Sequence, residues 1–278
     1  ITRFDNSGAS VANFKQKSMG SNGSFGGDFK YIGNSQLVTC GTKWPNGDIM
    51  KITSNGDSIW EYIDYSVTAA YTSTPIFPNQ SFKSITQLAN GSIVAGGTNV
   101  DTTYLTSLTA NGNLNWRRKY IPANYDKGII LGLQTDNFNN IYTCGTIRNA
   151  AGNFDAFVTA FNQNGNIIWE RFIVGAAGAN DSATKILIDN SGNVFVGGII
   201  KDSSATNNST FVVKYNASGG LQYMKKFHQA GQADASLGAI NFDAAGNLAF
   251  VSNSFTDADH SGVYTQRYNA FGVLQWTN

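Results

Sequence analysis

At nearly even spacing along this chain a glycine is followed four residues later by an aromatic residue, in the pairs Gly56/Trp60, Gly112/Trp116, Gly165/Trp169, Gly219/Tyr223 and Gly272/Trp276. A weaker copy opens at Gly8, with Phe14 as its nearby aromatic. Successive glycines stand 48, 56, 53, 54 and 53 residues apart. A second marker, an apolar run ending on a small residue, recurs at 37–41, 93–97, 141–145, 194–198 and 248–252, with steps of 56, 48, 53 and 54 residues. Two independent markers sharing a period of roughly 53 residues restrict the chain to a repeat architecture.

One unit can be read strand by strand. Residues 183–188 form strand A and 194–200 strand B, joined by Asp189-Asn190-Ser191-Gly192-Asn193. After a polar loop, 210–215 form strand C and 220–227 strand D, joined by Asn216-Ala217-Ser218-Gly219. Turns rich in Asn, Asp and Gly between apolar runs are hairpin signals, because Gly and Asn tolerate positive φ. Each unit is therefore a four-stranded antiparallel meander. A sheet apolar on both faces must be covered on each side, and radial stacking of such sheets is a β-propeller. A two-sheet sandwich is the runner-up, but its strands do not repeat at this period.

The expected fold is thus all-β, a single β-propeller domain spanning 1–278. It has five complete four-stranded antiparallel blades at 28–63, 82–120, 127–174, 181–227 and 234–277. Residues 1–16 read as a leading C–D strand pair with no A–B partner. Either the chain is cut from a propeller of six or more blades, which is the expectation, or this hairpin packs on a five-bladed ring. Composition agrees. Charged residues are 13%, against about a quarter in ordinary globular domains, while aromatics reach 13% and glycines number 30. No helical period with caps and no long apolar run occurs, so membrane insertion is not expected. A net charge of +1, with Arg117-Arg118-Lys119 as the one basic cluster, speaks against nucleic acid as a partner.

The run Asp-x-x-Gly-Asn-Val-x-Val-x-Gly at 189–198 precedes Lys-Tyr-Asn-x-x-Gly-x-Leu at 214–221, with an aromatic two residues on. Together they resemble the SBBP-type bacterial β-propeller repeat and, more distantly, quinoprotein-like propeller repeats. The resemblance covers essentially the whole chain. It implies a secreted or cell-surface bacterial protein, with the periplasm as second choice. Ser252-Asn253 in the last unit departs from the glycine pair, and the second unit has Ala89-Asn90-Gly91-Ser92 without the turn aspartate.

Antiparallel order puts the A–B and C–D turns on one face and the B–C and D–A connections, expected to be long, on the other. Variable loops on a rigid scaffold are the usual place for binding. The longest, residues 62–81, carries Tyr62, Tyr65, Tyr71 and Phe77 with Pro75 and Pro78; these aromatics are the candidate glycan- or protein-binding residues. The alternative is an insertion packed back on the scaffold. Asp28, Asp126, Asp181 and Asp234 stand near the start of strand A, with Ser81 in the remaining unit. In a propeller they would line one mouth of the channel and could hold Ca²⁺. The plainer reading, and the expected one, is that each caps its own loop, leaving no metal or cofactor.

Asp136, Asp189 and Asp243 in the A–B turns lack the alternating acids of a calcium loop and read as turn caps. Trp60, Trp116, Trp169, Tyr223 and Trp276 hold one equivalent place and read as packing residues that dock each blade on the next. Cys40 and Cys144, a whole unit apart, are not placed to bridge. His228 and His260 have no metal-ligand spacing, and no nucleophile elbow or phosphate loop occurs. The function expected is a non-catalytic binding or scaffold module whose partner is a protein or glycan at the long-loop face, within a larger chain or surface assembly. The alternative is a propeller glycoside hydrolase using two mouth carboxylates; a quinone-dependent oxidase would be a third class, with no cofactor constellation visible.

Overall fold

A computed structural model describes residues 2–4, 10–13, 24–43, 46–65, 80–201, 208–228, 234–255 and 261–278. They contain strands and turns, and among the described residues no helix is long and apolar enough to cross a membrane. The chain divides into two compact units, Ile1–Tyr120 and Ile121–Asn278.

The first unit opens with a hairpin, β1 (Thr2–Phe4) and β2 (Ser10–Asn13). Sheet 1 follows with β3 (Ser24–Tyr31), β4 (Gln36–Lys43), β5 (Asn46–Thr53) and β6 (Ser58–Asp64), then sheet 2 with β7 (Gln80–Gln87), β8 (Ile93–Asn99), β9 (Thr102–Leu108) and β10 (Leu114–Tyr120). The second unit holds three sheets. Sheet 3 is β11 (Tyr125–Thr135), β12 (Ile141–Asn149), β13 (Phe154–Phe161) and β14 (Ile167–Ile173). Sheet 4 is β15 (Ser182–Ile188), β16 (Val194–Lys201), β17 (Asn208–Tyr215) and β18 (Leu221–Phe227). Sheet 5 is β19 (Asp234–Phe242), β20 (Leu248–Phe255), β21 (Ser261–Tyr268) and β22 (Leu274–Thr277). Each is an antiparallel meander in chain order.

Among the described residues, one turn design closes nearly every A–B and C–D hairpin. In the C–D turn of sheet 4, the Asn216 amide donates to the Gly220 carbonyl at 2.9 Å, and the Gly219 amide to the Asn216 carbonyl at 2.9 Å. The Asn216 side-chain oxygen meanwhile accepts the Ser218 and Gly220 amides. Asp189 and Asp243 do the same in their A–B turns, Asn162 and Asn269 in C–D turns, and Asn149 in a B–C turn. Hydrogen bonds from the Asn247 side chain and amide, helped by Arg267, pull the Asp243 carboxyl down to about 2. These aspartates are turn caps.

The first hairpin keeps the same register. Phe4 pairs with Ser10 and Arg3 with Ala12, as Tyr215 pairs with Leu221 and Lys214 with Tyr223. The residue at the aromatic position there is Ala12, and Phe14 lies outside the described residues.

Strand A of every sheet carries a one-residue bulge, at Gly27, Lys83, Leu131, Thr184 and Gly238. The bulge presses strand A against the small residue of strand B. A Cβ on Gly97 would collide with the Ser81 carbonyl, on Gly145 with that of Ile129, and on Gly198 with that of Ser182. That close approach is why the apolar B strand ends on glycine. Ser252 in sheet 5 is fully buried.

The sheets then cover one another. Cys40, Ile49, Phe82, Ile85 and Tyr104 form one core between sheets 1 and 2. Cys144, Val158, Ile186 and Phe211 belong to another between sheets 3 and 4, and Phe195, Val212, Ile240 and Phe250 to a third between sheets 4 and 5. A repeated latch seals these interfaces. Trp60 of sheet 1 lies flat on Gly112 in the C–D turn of sheet 2, where a Cβ would sit 2.7 Å from its ring, and its Nε1 donates to the Ala110 carbonyl at 3.1 Å. Trp169 of sheet 3 repeats this on Gly219, again at 2.7 Å, with Nε1 donating to Ala217 at 3.0 Å. Tyr223 lies on Gly272 in the same way, but a phenol has no indole N–H; Lys214 Nζ donates to the Ala270 carbonyl instead, at 3.1 Å. These glycines have φ between +74° and +83°. The position thus demands glycine twice, for its backbone and for the ring above it.

The expectation of uniformly long B–C connections does not hold. In sheet 2, β8 and β9 are joined by Val100 and Asp101 alone, at φ 48° and 63°, a tight I′-type turn. In sheet 3 the B–C turn is the capped Asn149–Asn153 loop.

Candidate functional site

The four strand-A aspartates are not register equivalents. Asp28 pairs with Cys40 one step past the bulge, where the other sheets place Ser84, Gly132, Lys185 and Ala239. Its carboxylate accepts its neighbour's Phe29 amide and also the Ser84 hydroxyl of sheet 2 at 3.0 Å, so it ties two sheets together. Asp181 is 1% exposed and accepts the Gly175 amide at 2.5 Å and the Lys201 amide at 3.0 Å, pinning the D–A connection to the end of strand B; burial raises its pKa. Asp126 is exposed and paired with Arg148. Asp234 starts β19, paired with Phe255, and its side chain lies outside the described residues. Ser81 is buried and receives the Thr42 hydroxyl at 2.7 Å.

Of the candidate binding aromatics, Tyr62 lies on β6 with its hydroxyl 2.5 Å from Arg117 Nη2; burial raises its pKa. Arg117 Nε reaches the fully buried Asp64 at 3.2 Å, and Tyr104 donates to Asp64 at 2.7 Å. Tyr62 is thereby committed to the contact between sheets 1 and 2. Tyr65 is 70% exposed. Tyr71, Phe77, Pro75 and Pro78 lie outside the described residues, as does His260. Trp116 is half-buried. His228 is exposed, with Nδ1 3.3 Å from the Asn208 carbonyl. Cys40 and Cys144 are buried free thiols whose pKa burial pushes up. Among the described residues no group of three or more His, Cys, Asp or Glu is placed to hold a metal ion.

The structure adds a site that spacing in sequence does not reveal. At the edge of sheet 3, Asn124, Tyr125 and Asp126 face Arg148 and the Asn149–Gly152 turn across a cavity of about 400 Å³. Asp126 is the extra residue of a second bulge, between Tyr125 paired with Asn149 and Lys127 paired with Arg148. The bulge turns its carboxylate onto Arg148, whose Nε donates to Oδ1 at 2.8 Å while Nη2 meets Oδ2, a bidentate pair. Those hydrogen bonds hold the Asp126 pKa below its ordinary value. The wall is fixed from behind. Buried Asp155 receives the Tyr125 hydroxyl at 3.2 Å and Asn149 Nδ2 at 3.1 Å, and Tyr125 stacks on Phe172 with ring centroids 4.7 Å apart. Burial, reinforced by Asp155, pushes the Tyr125 phenol up to about 12, so it stays a neutral donor at physiological pH. The result is a polar dish with a fixed ion pair, backbone groups and one aromatic wall, on the face of the B–C and D–A connections. Such a constellation can orient hydroxyls or a carboxylate.

No family profile matches the sequence, and no curated protein matches it. Solved structures do. The chain is similar to Drosophila Semaphorin 1b, extracellular domains 1-2, with a TM-score of 0.60 at 10% identity over 97% of this chain and 55% of that one. It is similar to a protein from Lactobacillus plantarum, TM-score 0.58 at 13% identity over 88% of this chain and 67% of that one. It is also similar to an ulvan lyase of polysaccharide lyase family PL25 bound to -[GlcA(1-4)Rha3S]-, TM-score 0.57 at 11% identity over 95% and 71%. The chain spans 55% of the initiation-factor structure it also matches. At these identities the likeness concerns the fold alone. With the five antiparallel four-stranded sheets, it places the chain among the β-propellers, as the repeat period predicts.

Proposed function

We propose that this chain is a non-catalytic, extracellular or cell-surface bacterial β-propeller module that binds a glycan or protein through the face of its B–C and D–A connections. The dish formed by Tyr125, Asp126, Arg148 and the Asn149–Gly152 turn carries this reading: it is concave, polar, held from behind by Asp155, and ringed by groups suited to sugar hydroxyls. Neighbours in fold space include an extracellular semaphorin and a polysaccharide lyase, so the scaffold is compatible with recognition of either partner class.

The alternative, a glycoside hydrolase, needs one carboxyl held protonated and a second ionised across the scissile bond. Asp126 is lowered by Arg148, which suits a charge partner rather than an acid, and Asp181 is raised but spent on two backbone amides. That chemistry favours binding. Glycan-array screening of the intact chain, followed by calorimetry on any hit, tests it. Arg148→Ala and Asp126→Ala are expected to weaken binding at least ~10-fold with the fold unchanged. Binding unaffected by both variants removes the dish, and release of new reducing ends from a bound glycan turns the reading to the hydrolase.

A further inference from the structure

The dish at the edge of sheet 3 is built by groups of the second unit alone. Arg148 stands two residues beyond Thr146, whose hydroxyl donates to the Asp181 carbonyl at 3.0 Å, so it lies on the side of sheet 3 that faces sheet 4. From that side the neighbouring D–A connection is tied to the B–C turn. The Phe154 amide donates to Asn180 Oδ1 at 2.9 Å, and the Asp181 amide to the Phe154 carbonyl at 2.6 Å.

What the dish offers a ligand follows from where its donors already go. The Ala151 and Asn153 amides donate to Asn149 Oδ1 at 3.0 and 3.2 Å, and the Gly152 amide to the Asn149 carbonyl at 2.9 Å. The Asn149 side-chain amide and the Tyr125 hydroxyl both donate to Asp155. These donors are turned inward, so the Asn149–Gly152 turn is not a nest of amides for an anion. Arg148 commits its Nε and Nη2 to the two oxygens of Asp126. A carboxylate has about four acceptor positions. Arg148 takes two, and the Asp126 side chain is 54% exposed, which leaves its outward side to hydroxyl donors.

Charge narrows the ligand further. An anion must displace Asp126 from Arg148 and approach buried Asp155, whose charge already acts to raise the Tyr125 pKa. A cation must approach Arg148 and Lys127, which both act to lower that of Asp126. We infer that the dish takes a neutral saccharide in preference to an acidic or basic one, with neighbouring ring hydroxyls donating to the outward side of the Asp126 carboxylate while Arg148 holds that carboxylate in place. This rests on the dish being the binding site proposed above.

The test is an array carrying matched sets of neutral, uronic-acid and sulfated glycans, probed with the intact chain, Asp126→Asn and Arg148→Ala. Circular dichroism checks that both variants keep the fold, and each hit is followed by calorimetry at low and high salt. Hits are expected among the neutral glycans, with an affinity that salt does not change, since no ligand charge is screened. Asp126→Asn is expected to weaken them at least ~10-fold, because it puts a donor where an acceptor is needed. For an acidic ligand the sign reverses: Asp126→Asn removes a repelling charge and releases Arg148, so binding strengthens. Hits on uronic or sulfated glycans, alone or beside neutral ones, that strengthen in Asp126→Asn overturn the inference and leave the dish as the binding site. An array without hits also overturns it, while the reading of a protein partner stands. Hits that neither variant changes remove the dish, and the reading above falls with it.

Discussion

Gly112, Gly219 and Gly246 all sit at positive φ, yet they answer to different demands. Gly246, in an A–B turn, has nothing within 4 Å of an added Cβ, and at the same place in sheet 3 the chain uses Asn139. Gly246→Ala is expected to cost only the left-handed backbone term, about 1 kcal/mol. Gly112→Ala drives its methyl into the Trp60 ring and is expected to cost about 3 kcal/mol, since the latch must open as well. Denaturant titration of both variants checks the ordering. Two tyrosines make a second contrast. Tyr223 Oη is buried without a hydrogen-bond partner, so Tyr223→Phe is expected to be neutral or stabilising by up to about 1 kcal/mol. Tyr104 donates to buried Asp64, so Tyr104→Phe is expected to cost about 2 kcal/mol by the same measurement.

At the scale of the element, the B-strand glycine of sheets 2, 3 and 4 meets a clearance requirement beside the bulge in strand A, whereas sheet 5, whose bulge residue is Gly238, holds a buried serine there. Gly198→Ala sets a methyl against the Ser182 carbonyl, where backbone rather than a flexible side chain must give way. It is expected to destabilise by more than about 3 kcal/mol and to lower expression, read by thermal melting beside the wild type. Strand extents were legible because apolar alternation and Asn/Asp/Gly turns are local signals; the 194–200 strand is found at Val194–Lys201. The bulge was not legible, because Gly27, Lys83, Leu131, Thr184 and Gly238 have no one residue type in common. Counting aspartates from the start of strand A therefore misaligned Asp28 with Asp126 and Asp181. The dish was hidden for a related reason: Asp126 and Arg148 are 22 residues apart and meet only because Asp126 is itself bulged. Acid and base at matching distances from the A–B turn are the signal that could have found them.

At the scale of the whole molecule, the recurring glycine–aromatic pair supplies the parts of a latch that fastens sheet 1 to sheet 2, sheet 3 to sheet 4 and sheet 4 to sheet 5. The pair is not a contact within its own turn: Trp169 meets Gly219, from the following repeat, while Gly165 lies in Trp169's own turn. A nearly even period follows from this geometry, because in the three latched pairs the ring of one repeat reaches the turn of the next at the same place. The face of the B–C and D–A connections is free to vary, since those connections take no part in the latch. The double-mutant cycle of Trp169→Ala and Gly219→Ala tests this most directly. If the ring lies on the glycine, the two costs are coupled by more than about 1 kcal/mol, and Gly219→Ala in the Trp169→Ala background costs only the left-handed backbone term. Costs that add to within about 0.5 kcal/mol would contradict it.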